Sequence, residues 1–135
     1  MTTKEILQKY KKIAVVGLSS DPGRASYGVS RYMHNAGYEI TPVNPNEVTV
    51  LGEKAYASLD EVPGPIEIVD IFRRSEFVPD VVDAAIRLNA KVIWMQLGVI
   101  HEAAGQRARE AGLEVVQDLC ILQEHMKHFG FGKKV

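Results

Sequence analysis

The stretch richest in chemistry is AVVGLSSDPGRASYGV, residues 14–29. An aliphatic run ends at Gly17, and the positions that follow deliver Ser19, Ser20, Arg24 and Ser26. Gly17 permits a sharp turn, the hydroxyls offer donors, Arg24 adds a full positive charge, and a helix opening there presents N–H groups of partial positive charge. Such a set suits a phosphate. It is not the dinucleotide fingerprint, because Gly17, Gly23 and Gly28 are too widely spaced, and no Gly-Lys-Ser/Thr follows to make a P-loop.

Three other segments carry ligand-type residues. Asn44-Pro45 stands where an NAD-binding fold offers a carboxylate to the ribose, which argues against NAD and suits an adenosine pocket beside a phosphate. In FRRSE, Phe72 can lie against a purine ring, and Arg73 and Arg74 can recognise anions. Gln96 and Gly98 combine a carboxamide with permissive backbone, suited to amide groups of a ligand. Asp70 has no second carboxylate or histidine at an evident spacing, so it is expected to orient an arginine or cap a loop rather than act as a base. Cys120, His125 and His128 do not share a helix face with a fourth ligand. No metal site is expected, and Cys120 reads as a buried, inert thiol.

Each ligand-type segment follows an apolar run. Runs at Ile13–Gly17, Tyr38–Val43, Ile66–Phe72, Lys91–Gln96 and Leu113–Gln117 start about 25 residues apart, room for a strand, a helix and two loops. They are continuous rather than alternating, as in a parallel sheet covered on both faces. Helical periodicity fills the gaps: Val29, Tyr32, Met33 and Ala36, with Ser26 as N-cap and Gly37 as stop; Val78, Val81, Val82 and Ala85, with Pro79 in the first turn; and Ala103, Ala104, Ala108 and Ala111, stopped by Gly112. Thr2 and Glu5 have capping-box spacing for an opening helix, and a last helix is expected to bury Leu119, Leu122, Met126 and Phe129. The interval 46–65 reads as irregular loop with one helical turn near Ser58–Glu61. The expectation is an α/β, Rossmann-like, doubly wound five-stranded parallel sheet in the order 3-2-1-4-5, with helices on both faces. Its ligand would lie at the carboxyl ends of the strands.

Composition bounds the rest. With 135 residues, 46% of them hydrophobic and 24% charged, the chain is expected to form one domain over residues 1–135 with a flexible tail from about residue 130. One cysteine cannot form an internal bridge. Sixteen Lys plus Arg against seventeen Asp plus Glu leave a net charge of −1, which excludes a broad basic field for nucleic acid or an anionic membrane. Any bound anion must be held locally. No targeting signal or run of roughly 20 apolar residues is present, so a soluble cytoplasmic protein is expected.

Taken together, AVVGLSSDPGRASYGV, GYEITPVNPN with LGEKAYASLDEVP, IEIVDIFRRSEFVP, KVIWMQLGVIHEAA and GLEVVQDLCILQEH resemble the stand-alone CoA-binding domain proteins. Their fold is similar to the N-terminal CoA-binding domain of the succinyl-CoA synthetase α subunit. The resemblance spans Ile6 to His128 and implies coenzyme A or an acyl-CoA as ligand. It places Gly17, Ser19, Ser20, Arg24 and Ser26 near the phosphates, Asn44 and Pro45 at the adenosine, Phe72 and Arg73 at the adenine or its ribose phosphate, and Gln96, Leu97 and Gly98 along the pantetheine arm. Leu119 stands where the family often has the arginine of Asp-Arg-Cys, so no role for that arginine carries over. The synthetase subunit has a second domain bearing a phosphorylated histidine, which this sequence lacks, so no independent catalysis is expected. An NAD(P)-dependent redox enzyme or sensor is the alternative, and a regulatory scaffold docking to a CoA-using enzyme is another. Candidate partners are thus the CoA ligand, a second copy or such an enzyme, with neither nucleic acid nor membrane.

Overall fold

The structure is a computed structural model describing residues 1–135. Helix α1 (Thr3–Lys9) opens with the expected capping box, Thr2 accepting from Glu5 N–H and Glu5 returning to Thr2 N–H. Strand β1 (Lys12–Val16), helix α2 (Ala25–Asn35) and strand β2 (Glu39–Val43) follow. A small hairpin, β3 (Thr49–Val50) with β4 (Glu53–Lys54), and a 3-10 turn at Leu59–Glu61 lead to β5 (Ile68–Ile71). A second 3-10 turn (Ser75–Phe77) enters α3 (Val78–Arg87), where Pro79 sits in the first turn, the one place its missing N–H costs little. Strand β6 (Val92–Met95), α4 (Glu102–Glu110), β7 (Glu114–Val116) and α5 (Ile121–Phe129) complete the chain.

The main sheet is five-stranded and parallel, ordered β2-β1-β5-β6-β7, which confirms the fold class. The expected order 3-2-1-4-5 is corrected to 2-1-3-4-5, counting its strands along the chain. Strand chemistry explains the difference. Glu39 is exposed and Pro42 has no N–H for a second neighbour, which suits β2 to an edge, whereas β5 is buried at all four positions and must be central. The fold therefore reverses direction between β1 and β5, not between the first and fourth strands.

Alternate strand residues feed two cores. Ile13, Val15, Ile68, Val92 and Trp94 face α1, α2 and α5, joined by Ile6, Leu7, Met33 and Ile121. Val16, Val69, Ile71, Ile93 and Met95 face α3 and α4, joined by Val82, Ala85, Ala104 and Ala108. Each fully buried aliphatic side chain contributes about 1.5–3 kcal/mol.

Local expectations fail where distant partners decide. The β3–β4 hairpin lies inside the expected irregular loop, turning at Leu51 (φ 55°) and Gly52 (φ 78°), the positive-φ pair of a type I′ two-residue turn. Arg24, not Ser26, is the α2 N-cap, because the Ser26 hydroxyl accepts instead from Ser19 N–H at 3.1 Å. Ala103 in α4 and Ala111 at its C-cap are exposed. The buried face of α5 is about 100° round from the expected one: Leu119 and Met126 are exposed, while Ile121, Glu124 and His125 are buried. That rotation is possible because Thr3 donates to Glu124 at 2.7 Å and the Tyr32 hydroxyl meets His125 Nδ1 at 2.8 Å. The tail, expected to stay unpacked, is also held. Gly132 N–H donates to the Tyr32 hydroxyl at 2.8 Å, and the Phe131 and Tyr32 rings meet edge to face.

Asp70 neither orients an arginine nor caps a loop. Level with Val15 and Trp94 on the adjoining strands, it is 1% exposed, and its Oδ1 has no hydrogen-bond partner. Burial pushes its carboxyl well above the ordinary value of 3.8. Above pH 3.8 the folded chain keeps a proton that the unfolded chain has released, so stability falls as pH rises from there towards the raised folded value. Asp70→Asn is expected to raise the unfolding free energy at neutral pH by about 1–3 kcal/mol and to remove that part of the pH dependence. Urea denaturation between pH 4 and 8 measures both, and equal stability at every pH would refute the assignment.

Candidate functional site

Gly17 organises the carboxyl edge of the sheet. Its φ is +91°, its N–H donates to Val43 O at 2.8 Å, and a Cβ built on it would lie 2.4 Å from the Phe72 carbonyl oxygen and 3.3 Å from Arg73 Cδ. The ends of β2, β1 and β5 thus meet at one residue that must lack a side chain.

Beside it opens a cavity of about 560 Å³. Gly17, Asn44, Pro45 and Arg73, four of the residues named from the sequence, line it together. Val16 and Val43 supply apolar lining, Asp60 comes from the first 3-10 turn and Ser58 from the residue before it, and Asp80, Val81, Ala84 and Arg87 come from α3. It lies at the reversal between β1 and β5, where loops leave for opposite faces of the sheet and ligands of such folds bind. A smaller cavity of about 190 Å³, lined by Lys12, Glu39 and Glu67, sits at the opposite ends of the strands, where this topology offers no such crevice.

Charge around the cavity is partly committed. Arg87 pairs with Asp60 at 2.7 Å across it, and Arg74 pairs with Glu76 at 3.3 Å. Arg73 and Arg24 form no ion pair. Arg73 lies 4.3 Å from the centroid of the Phe77 ring, which fixes the guanidinium while leaving its N–H donors for an anion. Exposed Arg24 caps α2 without a side-chain hydrogen bond, and no acidic residue occupies the first turn of that helix. The positive end of the α2 dipole is therefore open.

The serines of the first loop shape it. Ser19 N–H donates to Ser26 Oγ, Asp21 N–H to Ser19 Oγ at 3.0 Å, and Gly23 N–H to Asp21 Oδ1 at 2.9 Å. Ser20 N–H reaches across to Glu47 Oε2 at 2.8 Å. Asn44 ties the same loop down, its Nδ2 donating to Leu18 O at 3.1 Å.

Other expected residues share the carboxyl edge without lining the cavity. Phe72 is half-buried against the α1, α2 and α5 core, so it and Arg73 serve different sides of the sheet. Gln96 is buried, its Oε1 accepting from Ile121 N–H at 3.0 Å. Leu97 is 57% exposed, and Gly98 N–H donates to Asp118 Oδ1 at 2.7 Å. Cys120 is buried, and the chain brings together no metal-binding group of His, Cys, Asp and Glu. Ser58, Asp60 and Arg87 line the cavity without having been singled out. Arg87 reads locally as an ordinary cation in the last turn of a helix, and only the fold sets it opposite Asp60.

The family model described as a CoA binding domain matches residues 11–126. The chain belongs to that family. This CoA-binding domain is 52% identical over 122 residues to uncharacterized protein YneT of Bacillus subtilis strain 168, covering 90% of each. The solved structure of a hypothetical protein from Pyrococcus horikoshii OT3 superposes on it with a TM-score of 0.91 at 39% identity, over 96% of this chain and 94% of that one. The alpha subunit of ADP-forming acetate–CoA ligase I of Pyrococcus furiosus is 31% identical over 121 residues, which span 85% of this chain and 25% of the subunit. The domain is homologous to the N-terminal region of such ligase subunits.

Gly17→Ala should lower the thermal midpoint by several degrees, because a methyl group there meets the Phe72 carbonyl and a positive φ at once. The strain amounts to about 1–3 kcal/mol, and an unchanged midpoint would rule it out.

Proposed function

We propose that the domain binds coenzyme A or an acyl-CoA and works as a binding protein. The observation that carries this reading is the unpaired Arg73 in a cavity that also takes Gly17, from which the first loop runs to the open end of α2 and unpaired Arg24. CoA bears roughly four negative charges on three phosphates, and a chain with a net charge of −1 must meet them with such local cations. In this reading the adenosine enters the cavity against Asn44 and Pro45. Arg73 meets the ribose phosphate, and the diphosphate lies over the loop of Gly17, Ser19, Ser20, Arg24 and Ser26. Pantetheine then runs along the edge past Gln96, Leu97 and Gly98. No histidine or cysteine lines the cavity, which favours binding over group transfer.

Thermal unfolding with CoA, 3′-dephospho-CoA, NAD and ATP tests the proposal. CoA at a hundred times its Kd should stabilise the fold by about 2.7 kcal/mol, with smaller shifts from the other three ligands. Arg73→Ala should weaken CoA about tenfold, ~1.4 kcal/mol, and weaken 3′-dephospho-CoA less. No shift with CoA, or equal shifts with all four ligands, would overturn the reading.

A further inference from the structure

The bond from Ser20 N–H to Glu47 Oε2, 2.8 Å long, differs in kind from the others in its loop. Asp21 and Gly23 donate to side chains two residues back on the same loop, and Ser19 donates to the Ser26 hydroxyl in the first turn of α2. Ser20 instead donates to a carboxylate 27 residues along the chain, on the loop that follows β2. Glu47 is held in place. Its N–H donates to Asn44 O at 3.2 Å, Asn46 N–H donates to Asn44 Oδ1 at 3.0 Å, and Asn44 in turn holds Leu18. Nor does Glu47 neutralise Arg24, with which it forms no ion pair. The other charge on the loop, Asp21, is spent on Gly23 N–H.

A carboxylate oxygen and a phosphate oxygen are equivalent acceptors for a backbone amide. The negative group bound here sits on the loop that leads into the open α2 terminus, and Asn46, the residue before Glu47, lines the cavity. We infer that Glu47 is an internal occupant of the ligand's diphosphate position, holding the Ser20 amide until a phosphate oxygen displaces it. Glu47 then sets a threshold. A small anion loses part of its binding energy in displacing the tethered carboxylate and sharing the loop with its charge, so it binds only at high concentration, whereas a ligand that also fills the cavity gains enough to bind at low concentration. This inference rests on the CoA reading for the identity of the ligand, though not for the exchange at Ser20.

Titration calorimetry on the full chain, with Glu47→Gln and Glu47→Ala beside the wild type, tests it with two probes, CoA and inorganic diphosphate. Both variants should bind each probe about fivefold more tightly, and the Ser20 amide signal of the wild type should move when either probe saturates it. Unchanged or weaker binding of both probes by both variants, or a Ser20 signal that stays put at saturation, would overturn the inference. Diphosphate bound more tightly by the variants while CoA binds no form would support the exchange at Ser20 and remove the CoA reading. CoA bound equally by all three forms would do the reverse.

Discussion

Gly17 lies where three strand ends converge. Its amide is bound to Val43 at the end of β2, and the Phe72 carbonyl after β5 lies too close for any side chain. Because β1 is clamped between those neighbours, the first loop leaves towards α2 on one face while the loop after β5 leaves towards α3 on the other. The cavity is the space between these departures. Its floor takes apolar residues from the β1 and β2 ends, and its unpaired cation comes from the residue after Phe72. Moving this junction apart to admit a methyl group would displace Arg73 as well as the strands.

The two faces of the sheet are built differently. The α3 and α4 side is an apolar core of small and branched residues. The α1, α2 and α5 side also holds Asp70, Ser30 and His125, each with a buried polar atom that has no hydrogen-bond partner. Burial keeps the His125 pKa below its ordinary 6.5, and the Tyr38 hydroxyl, which donates to Leu7 O at 2.7 Å, is pushed up to about 12. Both groups are thereby held neutral as members of a packed aromatic cluster. Polar groups on this side cost stability that the apolar side does not lose, and Trp94, whose indole donates to Leu119 O at 2.9 Å, shows the satisfied alternative.

Charge is arranged by position rather than by amount. A net charge of −1 gives no long-range pull on an anion, yet Arg24 and Arg73 stand unpaired at the carboxyl edge while Arg74, Arg87 and Arg107 are each tied to a carboxylate. Homology to the ligase alpha subunit covers the binding domain, and 25% of that larger subunit is matched.

Features set by neighbours in sequence were legible without the fold. The Thr2 capping box, Pro79 in the first turn of α3 and the positive-φ glycines 37 and 112 depend on a few adjacent residues, and each appears as read. The parallel sheet was legible because its strands are continuous apolar runs. Strand order was not, although Pro42 and Glu39 marked β2 as an edge, because pairing joins residues far apart in sequence. Along the cavity, Gly17, Asn44, Pro45 and Arg73 were legible as residues that follow strand ends. Phe72 could not share a wall with Arg73, since consecutive residues leaving a strand point to opposite sides. Arg87 opposite Asp60, Glu47 on Ser20, and the polar face of α5 against Thr3 and Tyr32 belong to the tertiary structure alone. The sequence by itself determined the five strands of the main sheet, the helices between them and which residue types follow the strand ends, because those follow from local sterics and periodicity. Only the fold decided which ends meet, because that depends on burying both faces of β5 at once.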